Sequence, residues 1–111
     1  MTYRFMDILN SKRYKDGPFM RNEHIYVSPE CFISIQAGMG FYSVPKINFM
    51  DISMYTQFEL AIYKDSNMVT DFKNKRLRRL HNDYGFDGIF SYIPAEYVQE
   101  IFDILENDDV I

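Results

Sequence analysis

Cys31, His24 and His81 are the only thiol and imidazole side chains in the chain, and they bound its covalent chemistry. A cysteine nucleophile needs a general base within hydrogen-bond reach and surroundings that favour the thiolate. His24 and Cys31 fall on segments that can pair as neighbouring strands, yet no local charge marks Cys31 as activated. A small buried hydrophobe is the preferred reading. A structural zinc site takes about four Cys or His ligands, and three widely spread ones exclude it. A metal nuclease would need carboxylates beside a lysine, for which Asp51, Glu59 and Lys64 are the nearest set. Glu59 and Lys64 are an odd number of residues apart on one predicted strand and so point to opposite faces. A solvated sheet face is preferred there. Gly38-Met39-Gly40 lacks a third glycine and leads into β-forming residues, which removes a phosphate loop. The expectation is a protein that binds without catalysis, with no catalytic residue, cofactor or metal.

Charge is the feature left for recognition. The chain has 111 residues and a net charge of −4. From Leu80 onward it carries Asp83, Asp87, Glu96, Glu100, Asp103, Glu106, Asp108 and Asp109 with no Lys or Arg. Immediately before lie Lys73, Lys75, Arg76, Arg78 and Arg79. An acidic surface can imitate a phosphate row or meet a basic protein surface. The basic run can touch phosphates, which makes a nucleic-acid-binding regulator the alternative. Net negative charge and the adjacent acids weigh against that alternative, so direct nucleic-acid binding is not expected. Met39, Phe41 and Tyr42 lie at a predicted hairpin tip, where large apolar side chains suit a contact hot spot if exposed. The expected partner-binding set is Asp83, Tyr84, Asp87, Glu96, Glu100, Asp103, Phe41 and Tyr42.

The elements that must position these residues read as follows. Thr2 caps a first helix over residues 3–10, with Phe5, Ile8 and Leu9 on one face. Residues 11–22 read as a charged loop around Gly17-Pro18. Strands are predicted over 24–28, 32–37, 57–63, 68–72 and 89–93, with residues 41–44 returning from a hairpin turn at Gly38–Gly40. Residues 48–54 form a connection, 64–67 a turn, 74–81 a short basic helix and 82–88 a loop. Pro94 lies in the first turn of a last helix, where its missing N–H costs nothing. Tyr97, Val98, Ile101, Phe102 and Leu105 make that helix's apolar stripe, and Glu96, Gln99, Glu100, Asp103 and Glu106 its other face. The class is α+β: an antiparallel sheet of about five or six short strands with an N-terminal and a C-terminal helix packed on it, one domain over residues 1–111.

Composition fits that plan, at 47% hydrophobic and 25% charged residues. Nine Tyr and ten Phe supply core area in a small domain. One cysteine permits no internal disulfide, which points to a reducing, cytoplasmic setting. Arg4 and Asp7 stand where a signal peptide needs an apolar run, and no stretch is long and apolar enough to span a membrane.

Three segments carry a resemblance: Ile33-Ser-Ile-Gln-Ala-Gly-Met-Gly40, Gln57-Phe-Glu-Leu-Ala-Ile-Tyr63 and Tyr92-Ile-Pro-Ala-Glu-Tyr-Val98. Together they resemble small accessory proteins of bacteriophages and prophages. The resemblance implies a viral or mobile-element context, where small acidic single-domain proteins often resemble anti-CRISPR and other anti-defence inhibitors. It implies as partner a host protein, one that handles nucleic acid or serves defence, in the host cytoplasm. It brings no catalytic residues.

Overall fold

The computed structural model describes residues 3–86 and 88–107. Helix α1 (Arg4–Asn10) leads into a two-stranded hairpin, β1 (Arg13–Asp16) and β2 (Phe19–Asn22). The main sheet comprises β3 (Ile25–Ser28), β4 (Cys31–Gln36), β5 (Gln57–Lys64), β6 (Asn67–Met68), β7 (Gly85–Phe86) and β8 (Ile89–Pro94). Its order is β3-β4-β5-β8-β7, with β6 beside the C-terminal end of β5, and every pairing is antiparallel. Helix α2 (Lys75–Arg79) precedes β7, and α3 (Ala95–Asn107) follows β8. The α+β architecture is the one the hydrophobic periods predict.

Alternation along β4 and β5 decides which face is buried. Cys31, Ile33 and Ile35 point to one side with Phe58, Leu60 and Ile62, and all six are buried. Register sets Ile33 opposite Ile62 and Ile35 opposite Leu60. Onto this face pack Phe5 and Leu9 of α1 and the Val98, Ile101, Phe102 and Leu105 stripe of α3. Phe5 meets Phe58 edge-on, with ring centroids 5.2 Å apart. Each such side chain fully removed from water contributes about 1.5–3 kcal/mol. The opposite face carries Phe32, Ser34, Gln36, Glu59, Ala61 and Tyr63.

Several local expectations change. Thr2, the expected cap of α1, lies outside the described residues, and Tyr3 occupies the cap position. Residues 11–22 are a hairpin where a loop was expected. Gly17, at φ 62°, takes the first central place of its two-residue turn, which glycine adopts without strain. Polar side chains had hidden the strands, because the buried positions include Arg13 and Asn22. No strand returns at residues 41–44; one bridge, Val44 to Gln57, is all that forms. The strand expected over 68–72 stops at Met68 and peels away so that Phe72 can enter the core against Phe90. Asn74 caps α2 through its Oδ1. The following loop is instead a π-helical turn over Leu80–Tyr84 and the short β7. Pro94 ends β8, one residue before α3, and the Ala95 N–H donates to Thr56.

Candidate interaction surfaces

Between β4 and β5 the chain runs through residues 37–56 with a single 3-10 turn (Ile52–Met54) as regular structure. Irregular connections of this length within a small domain are uncommon and usually functional. This one is held in place by polar groups under it. Arg13 is buried, and its Nε donates to Phe49 O at 2.6 Å. Its Nη1 donates to Asn22 Oδ1 at 3.1 Å, and its Nη2 to Ala37 O at 3.0 Å and Tyr55 Oη at 2.9 Å. Burial pulls the Arg13 pKa below the ordinary arginine value, against the Tyr55 hydroxyl. Tyr55 Oη accepts from Phe49 N at 2.8 Å as well, and donates to Ile47 O. Asn48 bridges Met39 N and Pro18 O. Gly38, at φ 134°, lies so close to Asn48 that a Cβ would sit 2.8 Å from Asn48 Oδ1. Glycine is the residue that fits there.

What this segment presents outward is apolar. Met39, Tyr42, Val44, Ile47, Met50 and Met54 are exposed by 40% to 64% each. Tyr92 adds to them. It sits at a bulge in β8, where two residues face Glu59, and it takes φ 56°, a left-handed conformation rare for a tyrosine. Its N–H is turned out of the ladder and donates to Tyr42 O at 3.1 Å. The Tyr42 and Tyr92 ring centroids stand 5.9 Å apart, with the Lys46 ammonium 5.6 and 5.4 Å from them. A hydrogen bond with Tyr92 raises the Lys46 pKa. Asp51, the segment's carboxylate, caps the 3-10 turn by accepting from Ser53 and also accepts from Asn10. The Ser53 N–H holds its pKa low. Lys46 is the cation beside the Tyr42 and Tyr92 rings, and Asp51 is an exposed carboxylate at the 3-10 turn.

The acidic set is arranged differently. Glu96, Glu100 and Asp103 border one shallow groove of about 360 Å³ with Tyr3 and Arg76. Arg76 lies 3.8 Å from Glu100, and Arg4 lies 4.0 Å from Asp103 while clamping Glu106 with both Nη atoms. The Arg4 hydrogen bond holds the Glu106 carboxyl below its ordinary value. Asp83 pairs with Arg79 at 3.4 Å one helical turn away. Arg79 also lies over the Tyr84 and Tyr97 rings. Burial pushes the Tyr97 phenol up to about 12. Arg78 donates to Phe72 O, leaving Lys73 and Lys75 of the basic run without an ion pair to a described residue. Three arginines, Arg4, Arg76 and Arg79, thus fold onto the acids of the C-terminal third.

The expected partner-binding residues do not share one face. Asp83, Tyr84, Glu96, Glu100 and Asp103 gather around α2 and α3. Phe41 and Tyr42 lie on the open side of the sheet, Phe41 half-buried under the Arg21 guanidinium at 5.3 Å. Asp87 lies outside the described residues. Sequence reading missed Val44, Ile47, Met50, Met54 and Tyr92; the signal was an apolar-rich stretch without strand or helix period.

The Cys31–His24 pairing weighed from sequence is also separated. Cys31 is buried in the core, whereas His24 stacks on Phe32 on the open face, centroids 4.4 Å apart. Phe32 stacks in turn on Tyr63 at 4.8 Å with planes 15° apart. Rings this close and near-parallel face one another and brace neighbouring strands. Among the described residues no group of three His, Cys, Asp or Glu is placed to hold a metal ion, and no helix is long and apolar enough to cross a membrane. Against family models, curated proteins and solved structures, the chain has no match.

Proposed function

We propose that the protein is a non-enzymatic inhibitor or adaptor that occupies the surface of a protein partner, and that its contact is the shelf of residues 39–54 with Tyr92. The carrying observation is the combination on one segment: six exposed large apolar side chains on an irregular backbone fixed by the buried Arg13 and Tyr55 network. Exposed apolar side chains concentrated on one segment support a contact site, where single scattered ones would not. A pre-fixed loop loses little conformational entropy on docking, which leaves more of the burial for affinity. Tyr42 and Tyr92 have the character of central anchors, and Lys46 beside them favours a partner with a carboxylate at that point. The left-handed Tyr92 fits this reading, since strain of this kind gathers at functional sites.

The acidic helix supplies a weaker contact in this view. Arg4, Arg76 and Arg79 lower the field that the acid count alone implies. Resemblance to phage accessory proteins supports a host protein as partner, with defence and nucleic-acid-handling proteins as the class to search. A photo-crosslinking residue at Ile47 tests the reading in bacterial cells. A discrete crosslinked protein is expected, with a weaker yield when the same residue is placed at Glu96; crosslinks from Glu96 alone would overturn the shelf as the contact.

A further inference from the structure

The open sheet face sinks, between the β1–β2 hairpin and residues 41–42, into a second groove of about 270 Å³ over Ser34 and Ala61. We infer that this groove is a binding site for a primary alkylammonium group, its charge taken by the Glu59 carboxylate and its carbon chain laid against Tyr63, Met68 and Ile89.

Size comes first. The volume lies just below the range of pockets for drug-sized ligands, which suits one side chain or a small amine. The floor is made by small residues, and the groove exists because Ser34 and Ala61 stand opposite each other on β4 and β5. Charge decides the ligand's sign. Glu59 is half-buried there, and the hydrogen bond it accepts is one long contact, Tyr42 N to Oε2 at 3.3 Å. A carboxylate has room for several more donors, and an ammonium brings three. Burial raises the Glu59 pKa, opposed by the Tyr42 N–H and by Arg21, as expected for a carboxylate short of a close counter-charge. Arg21 lines the same groove, its charge paired with Asp16 at 2.6 Å without an aligned hydrogen bond and its guanidinium over Phe41. An anion would find that arginine already paired, whereas a cation finds Glu59 open to a charge-assisted hydrogen bond. Tyr63, Met68 and Ile89 give an alkyl chain apolar wall.

This site adjoins the docking shelf at residues 41–42 but rests on different side chains, so either can exist without the other. The ammonium can come from a free polyamine or from a partner's lysine. Titration of the labelled protein with cadaverine and, separately, with N-acetyl-lysine-N-methylamide separates those sources by which binds more tightly, with choline as a cation that cannot donate. Saturable amide shifts at Ser34 and Ala61 are expected with one of the two amines, at a dissociation constant of about 1 mM or below. Both Glu59→Gln and Ala61→Leu should weaken that binding at least about tenfold, the first by removing charge and the second by filling the floor. Each variant's thermal unfolding is checked alongside. The inference fails if neither amine saturates, if choline binds equally, or if a folded Glu59→Gln binds like the wild type.

Discussion

Two regions of this molecule invert what their sequences advertise. The segment over residues 37–56 has no regular period, yet it rests on a buried guanidinium and shows apolar side chains to water. The α2–α3 region has the strongest period in the chain and the largest charge imbalance, yet its outward acids meet arginines from α1 and α2. In the first, polar groups are inside and apolar ones outside; in the second, the usual order holds. A surface helix needs charges merely to stay soluble, so they say little about function. A buried arginine bonded to neutral acceptors is costly unless every donor is used, and its place under an apolar shelf gives that cost a purpose.

The comparison breaks first at Arg13. Arg13→Met removes four hydrogen bonds to Phe49, Asn22, Ala37 and Tyr55. It should destabilise the protein by about 2–4 kcal/mol in urea unfolding and speed hydrogen exchange chiefly in residues 37–55. Tyr55→Phe loses the hydroxyl alone and should cost about 1–3 kcal/mol. A double-mutant cycle of the two should be strongly non-additive, because they share a bond. On the outer surface of the shelf the triple change Ile47→Ser, Met50→Ser, Met54→Ser should leave stability within about 0.5 kcal/mol while removing partner binding. That pairing of results would sharpen the contrast between scaffold and contact.

Charged pairs of the second region should matter least. Arg4→Ala should lower stability slightly at neutral pH and low salt, with the effect fading as salt rises. The sign with pH follows from the depressed Glu106 carboxyl. A carboxyl whose folded pKa is lowered stabilises above its unfolded value of 4.5, and the contribution is lost as pH falls through the lower folded value. The difference between wild type and Arg4→Ala should therefore shrink below about pH 4.5.

Sheet and helices were legible because β4, β5 and α3 carry clean periods of two and 3.6 residues; the expected inward residues are buried, and Gln36, Ala61 and Ile104 are buried besides. The hairpin at residues 13–22 was not, since its inward side chains are Arg13, Met20 and Asn22, which read as surface. The shelf was half legible. Tyr42 stood out as apolar at a turn, but exposure of Ile47, Met50 and Met54 depends on Tyr55 and Arg13, up to 42 residues apart in sequence. Neutralisation of the acidic face was equally hidden. Arg4 and Glu106 are separated by 102 residues, so counting charge along the chain cannot find the pair.

Capture of partners from a bacterial lysate by three forms of the protein tests the central claim most directly. These are the wild type, the shelf variant Ile47→Ser, Met50→Ser, Met54→Ser, and the helix variant Glu96→Lys, Glu100→Lys, Asp103→Lys, compared by mass spectrometry at equal folded concentration. The account predicts a protein retained by wild type and, more weakly, by the helix variant, but lost by the shelf variant. Retention by the shelf variant together with loss by the helix variant would contradict it.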